Sequence, residues 1–315
     1  MFAICLESSH ARGMGHLFRM RHLARELRCH DLPFFFFVND HEPSLQLLRQ
    51  DALPFEIVDL GSVEHWAPTA IQQTRARLWI NDRLDTSLVQ AEAVKQTGIQ
   101  LATFDDRGAG AALADLHIAA LAFVADQALQ GRRVVRGHEY LILNPEIASR
   151  RRQRSKVERI LVSMGGSDTY GVTVKVAGLL HRKGLGATLV IGPGFQHRAA
   201  LDAEMGPQFE LKTTVPSLID EMSRHDLAIV GGGITAFEAA ASGLPAIIVA
   251  NEDFEIPVAR YLASLGVARY AGHHSALDEA AFAIPEDMAA MSQAGLNKIP
   301  LNGVERVFQL IQELA

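Results

Sequence analysis

Short apolar runs alternate with stretches of helical rhythm along most of the chain. In the first half, residues 2–6, 33–38, 55–58, 78–80, 100–104 and 116–120 read as strands. Residues 16–29, 43–50 and 86–97 repeat apolar positions at helical spacing. This alternation predicts a parallel sheet wrapped by helices. The run 32–38, with four consecutive phenylalanines, has strand length and reads as a strand buried on both faces.

The rhythm breaks at residues 144–158, a polar and strongly basic stretch. It reads as the linker between two domains, 1–148 and 149–315. Its basic cluster reads as a solvated surface, with a patch for a membrane or a polyanion as the alternative. Alternation then resumes. Strands are predicted at 159–163, 187–191, 209–211, 227–230 and 246–250. Helices are predicted at 172–183, 215–222, 235–242 and 257–265. The last helix, 303–314, carries Val304, Val307, Phe308, Ile311 and Leu314 on one face, a stripe suited to packing back on the first domain. The expected fold class is therefore α/β, two Rossmann-like doubly wound domains.

The chain has 315 residues, 48% of them apolar and 21% charged, ordinary values for a soluble globular protein. Its formal charge of −6 announces no basic face for nucleic acid. The two cysteines, Cys5 and Cys29, have no metal-ligand spacing and read as small core residues; a reducing cytoplasm suits such a chain. No run reaches the roughly 20 apolar residues of a membrane span, and Glu7 interrupts the first run too early for a signal peptide. His273 and His274 are adjacent, so in extended chain they point apart and form no metal pair.

Two glycine-rich turns carry the candidate chemistry. Each follows an apolar strand and opens a helix, where bare N–H groups and the helix dipole favour an anion. The first is Arg12-Gly13-Met14-Gly15-His16. Position 18 is Phe, so it is no dinucleotide fingerprint. A neutral His16 can take a proton from water or a hydroxyl; alternatively it caps the helix. The second is Gly231-Gly232-Gly233-Ile234-Thr235, with Glu238 one turn on. Thr235 can donate to a phosphate and Glu238 can accept from ribose hydroxyls. Equally, Thr235 and Glu238 can form a capping box.

Three further turns fall at strand ends. Gly165-Gly166-Ser167-Asp168 suits contact with a ligand, or an ordinary turn with Ser167 or Asp168 as the helix cap. The paired carboxylates of Asp105-Asp106-Arg107 can bind a sugar hydroxyl or hold a basic partner; equally, Asp106 and Arg107 can form a surface pair or a turn cap. Asn251 to Glu255 can meet sugar hydroxyls or form a solvated acidic loop.

The segment Gly13-Met14-Gly15-His16-Leu17-Phe18-Arg19 resembles the G-x-G-H-x-x-R of the nucleotide-sugar hydrolase that releases UDP in pseudaminic acid biosynthesis. That enzyme acts on a UDP-linked diacetamido-trideoxy-altropyranose. The segment also resembles spore-coat polysaccharide biosynthesis proteins of the SpsG type. Gly165-Gly166-Ser167-Asp168 is similar to the GG-[ST]-D of this family. Residues 226–251 resemble the UDP-binding region shared with MurG-like glycosyltransferases. The resemblance spans nearly the whole chain. It implies a GT-B fold, two Rossmann-like domains facing a cleft, and no metal or other cofactor. It implies that His16 activates water against the anomeric carbon, supported by Glu7 and Asp106. It also implies that Gly165, Gly166, Ser167, Gly232, Gly233, Ile234, Thr235 and Glu238 hold UDP. The sugar side is assigned to Gly13, Gly15, Arg19, Arg83, Asp253 and Glu255.

The chain departs from the hydrolases at three places, one being the glutamine expected near the donor sugar, which Glu252–Glu255 does not supply. Cys5-Leu6-Glu7 stands where they carry R-x-D, and Asn81-Asp82-Arg83-Leu84-Asp85 replaces their aspartate-histidine-tyrosine-glycine run. The expectation is a cytoplasmic hydrolase of a UDP-linked sugar, serving surface-polysaccharide or nonulosonic-acid biosynthesis. One rival is transfer of the sugar to an acceptor by the same site. The other is a non-catalytic nucleotide-sugar-binding partner within a biosynthetic complex.

Overall fold

The computed structural model describes residues 1–9, 14–121, 128–213 and 215–315. The chain divides into two compact units, Met1–Ile142 with Asn302–Ala315, and Leu143–Leu301. Residues 143–148, given to the first domain by the sequence reading, therefore belong to the second unit. The C-terminal helix belongs to the first.

The first unit holds β1 (Phe2–Leu6), β2 (Phe34–Val38), β3 (Phe55–Ile57), β4 (Leu78–Asp82), β5 (Gln100–Phe104), β6 (Leu116–Ala119) and β7 (Val134–Arg136). They form one sheet in the order β3-β2-β1-β4-β5-β6-β7, and every pairing is parallel. Its helices are α1 (Gly15–Cys29), α2 (Glu42–Gln50), α3 (Val63–Thr74) and α4 (Leu88–Gln96). The phenylalanine run shows why the sheet is covered on both faces. Strand side chains alternate. Phe34 and Phe36 join the core under α1, while Phe37, with Phe35 packed beside it, joins Trp79 and Trp66 on the other face.

The second unit holds α5 (Ile147–Arg150), β8 (Ile160–Ser163), α6 (Val172–Arg182), β9 (Ala187–Val190), α7 (Arg198–Glu204), β10 (Phe209–Lys212), α8 (Leu218–Ser223) and β11 (Leu227–Gly231). It continues with α9 (Ile234–Ala241), β12 (Ala246–Ala250), α10 (Glu255–Ser264), β13 (Ala268–His273), β14 (Ala276–Leu277) and α11 (Met288–Lys298). The strand order is β10-β9-β8-β11-β12-β13-β14, parallel except for the β13–β14 pair. The final helix, α12 (Gly303–Gln312), buries Val307, Phe308 and Ile311 in the first unit's core beside Leu23 and Leu27.

Three expectations are corrected. The basic stretch after residue 144 is not simply a solvated face. Arg154 is 2% exposed. It donates from Nε to His225 O at 2.8 Å, from Nη2 to Met222 O at 2.9 Å and from Nη1 to Ser242 O at 2.8 Å. Arg151 donates to Ala241 O at 2.9 Å. These guanidiniums satisfy carbonyls at the ends of α8 and α9, where a helix leaves acceptors without partners and favours positive charge. Cys29 is exposed rather than core, while Cys5 is buried. His273 and His274 do not point apart: β13 ends between them and their rings lie 4.2 Å apart.

Candidate functional site

In the first unit the strand order changes direction between β1 and β4. Doubly wound sheets open for ligands at that point, beyond the carboxyl ends of the strands. Asp82, the last residue of β4, is the register partner of Leu6, the last residue of β1. The turn after β1 leads into α1, whose first turn carries His16. Gly15 is exposed there, and no side chain caps the helix. Gly13 lies outside the described residues.

His16 Nδ1 is 2.7 Å from Asp82 Oδ1. Arg19, one turn along α1, donates from Nε to Asp82 Oδ2 at 2.7 Å and from Nη1 to Asp105 Oδ2 at 2.6 Å. Its Nη2 also donates to Asp82 Oδ1. The Asp82 side chain is 0% exposed and that of Arg19 only 4%. Burial alone would raise the Asp82 carboxyl. Arg19 and His16 outweigh it and hold it down to about 2. Burial likewise opposes the Arg19 charge, and Asp82 and Asp105 more than compensate, pushing its pKa upward.

An ionised Asp82 only accepts. The imidazole therefore carries its proton on Nδ1 and presents a lone pair at Nε2. This is the arrangement of an oriented general base.

The other first-unit candidates have different surroundings. Glu7 stands half-buried just beyond β1. Asp106 is 3% exposed and already serves the turn. It accepts from Thr86 N at 3.0 Å, Gly108 N at 2.9 Å, Thr103 Oγ1 at 2.7 Å and Thr86 Oγ1. With its oxygens so occupied, Asp106 is built into the fold rather than offered to a sugar. Arg83 is buried and donates from Nη1 to Gln90 Oε1 at 3.1 Å. Arg19 is bound internally to the two aspartates. Asp105 was singled out as one of a carboxylate pair at a strand end, whereas Asp82 was given no role by the sequence reading. The available signal was a pair of polar residues, Asn81-Asp82, closing an apolar strand.

The second unit repeats the plan at its own switch point, between β8 and β11, where Val230 lies beside Ser163. Gly165 takes φ 89, a conformation that suits glycine, and neither Gly165 nor Gly166 has any atom within 4 Å of an added Cβ. Ser167 Oγ is 3.3 Å from Thr169 Oγ1. Asp168 is buried and caps α6 by accepting from Val172 N at 2.7 Å and Thr173 N at 2.8 Å.

After β11, Gly233 precedes α9 with no side-chain cap. Ile234 starts the helix and Thr235 follows inside it, so the capping box does not form. A Cβ on Gly232 would lie 2.7 Å from Glu255 Cβ, whereas one on Gly233 would meet nothing within 4 Å. Glu255 Oε2 accepts from Gly232 N at 3.1 Å and Asn251 N at 2.7 Å. It thus fixes the glycine turn to the end of β12 and is not a solvated acid. Burial raises its carboxyl despite those N–H groups. Asp253, by contrast, is exposed at 95%. Glu238 is half-buried; desolvation pushes its carboxyl up to about 7, against the backbone N–H of Asn144. Among the described residues no group of His, Cys, Asp or Glu could hold a metal ion. No helix there is long and apolar enough to cross a membrane.

Two doubly wound parallel-sheet units of this strand order, the second with a glycine turn at its switch point, have the GT-B fold. No family model matches the chain. It is similar to the spore coat polysaccharide biosynthesis protein SpsG of Bacillus subtilis, with 25% identity over 284 residues, 84% of this chain and 81% of that one. Acinetobacter baumannii MurG has the same fold, with a TM-score of 0.73 and 16% identity over 99% of both chains. A glycosyltransferase from Rickettsia africae superposes with a TM-score of 0.70 at 14% identity, covering 99% of this chain and 98% of that one. The chain therefore has a glycosyltransferase-like fold.

Proposed function

We propose that the protein is an enzyme acting on a UDP-linked sugar in polysaccharide or nonulosonic-acid biosynthesis, and that it hydrolyses the bond to UDP. The carrying observation is the buried Arg19–Asp82–His16 chain, which leaves His16 Nε2 as a base. Water gives its proton to Nε2 as its oxygen bonds to the anomeric carbon. The bond from that carbon to the diphosphate breaks, and its electron pair stays with UDP. The uncapped start of α9 and the Gly233–Thr235 backbone offer N–H groups to that negative charge, while the Gly232 N–H is held by Glu255. Glu238, when ionised, accepts from the ribose hydroxyls. No cofactor is needed for these steps.

A second reading is sugar transfer, with an acceptor hydroxyl replacing water at the same base. The glycosyltransferase of like fold favours it. The test is His16→Ala with UDP-sugars, with and without added acceptors. Loss of turnover with UDP binding retained supports the base assignment, and unchanged turnover refutes it. Free sugar formed without acceptor identifies hydrolysis. Turnover only with acceptor identifies transfer.

A further inference from the structure

Residues 152–156, 158 and 159, with Arg224 and Asp226, line a cavity of about 460 Å³ in the second unit. It stands at the amino ends of β8 and β11. Arg159 immediately precedes β8, Asp226 immediately precedes β11, and Asp226 N donates to Arg159 O at 2.9 Å. The glycine turns stand at the opposite, carboxyl ends of these parallel strands. The cavity is therefore separate from the nucleotide site proposed above.

Its charge is one-sided. Arg152, Arg154, Lys156, Arg159 and Arg224 line the cavity with only two acids, Glu158 and Asp226, and Arg224 also pairs with Glu221 at 3.4 Å. Asp226 is already engaged, accepting from Arg152 Nη2 at 2.8 Å and from the backbone N–H groups of Glu158 and Arg159 at 3.2 and 3.1 Å. Arg152 and Arg154 are in turn fixed on backbone carbonyls. The side chains of Lys156 and Arg159 are exposed and have no hydrogen-bond or ion-pair partner among the described residues. Burial, reinforced by Arg152, pulls the Arg154 guanidinium down to about 10. Positive charge is thus gathered at some electrostatic cost in a chain whose net charge is −6.

We infer that this cavity binds a compact phosphate-bearing polyanion, held by Lys156 and Arg159 against the fixed arginines. The lining residues are all charged or polar and include no aromatic ring to stack on a base. Recognition would therefore rest on the phosphates, through charge-assisted donors of Arg and Lys.

The test is calorimetric titration of inorganic pyrophosphate into wild-type protein and the double variant Lys156→Ala/Arg159→Ala, at low and high salt. A second arm measures sedimentation with phosphatidylcholine vesicles, with and without phosphatidylglycerol. Both substituted side chains are exposed, and matched melting curves check that the variant folds. The expected result is pyrophosphate binding that weakens with salt and is at least about tenfold weaker in the variant. Binding only to phosphatidylglycerol vesicles, lost in the variant, supports the same site with a lipid headgroup as the source. Absence of both, or equal binding by the two proteins, overturns the inference.

Discussion

Asp82→Asn removes one charge from the buried chain while preserving its shape. The carboxyl is held near 2 from an ordinary 3.8. At about 1.36 kcal/mol per pKa unit, its charged form contributes on the order of 2 kcal/mol to the folded state. Because the pKa is lowered on folding, that contribution is present above about 3.8 and lost as the pH falls towards 2. Breaking a buried ion pair typically costs about 3–5 kcal/mol, but Arg19 keeps Asp105 at 2.6 Å. A loss of about 2–3 kcal/mol is therefore expected, measured by urea unfolding at pH 7. The effect on chemistry is larger. An amide can donate to His16 Nδ1, which moves the imidazole proton to Nε2 and removes the base. A comparable carboxylate-to-amide change behind a catalytic histidine costs about 10⁴ in kcat. We expect a fall of roughly 10³–10⁴ in kcat, little change in UDP affinity and partial recovery at high pH. Asp105→Asn serves as the comparison. It removes the charged partner of Arg19 while its remaining oxygen can still accept from Leu121 N, so it should destabilise while sparing most of kcat. If Asp82→Asn turns over within about threefold of wild type, or if both variants lose activity in proportion to stability, the orienting role is wrong.

Three further substitutions test other parts of the account. Glu238 is neutral below its raised pKa of about 7 and ionised above it, so UDP should bind more tightly as pH rises from 6 to 8. Glu238→Gln should flatten that rise relative to wild type, with calorimetry at several pH values as the check. The same shift means that folding favours neutral Glu238 and that its stabilising effect is lost as pH rises through 7; the Gln variant should therefore gain melting temperature at pH 8 more than at pH 5. Arg154→Ala leaves buried carbonyls at the ends of α8 and α9 without their donor, and should cost about 3 kcal/mol in urea unfolding. Lys156→Ala, which removes no recorded contact, should stay within about 0.5 kcal/mol.

Strands and helices with clean periodicity were legible in the sequence. Phe2–Leu6, Gln100–Phe104 and Ala246–Ala250 coincide with their apolar runs. Helix α3 was missed because Pro68 interrupts its pattern, and the helix accommodates the proline internally. Strand β4 was cut short at Ile80 because Asn81 and Asp82 are polar. Their burial depends on partners from elsewhere in the chain: Thr86 for Asn81, and Arg19 with His16 for Asp82. No local rule reveals a charge balanced by a residue 63 positions away. The basic stretch misled for the same reason, since Arg154 is paid for by carbonyls 68 to 88 residues downstream. The glycine turns were legible because a strand, bare backbone and a helix start are all local features. His16 and Glu238 were singled out at such turns, whereas Asp82, which lies 2.7 Å from His16, was not.

The most direct test of the central claim is calorimetric titration of UDP into wild-type protein and into Glu238→Ala. The account predicts binding to wild type that weakens at least about tenfold in the variant. No binding to wild type, or equal affinity in both, would contradict the assignment of the second unit's glycine turn as the nucleotide site.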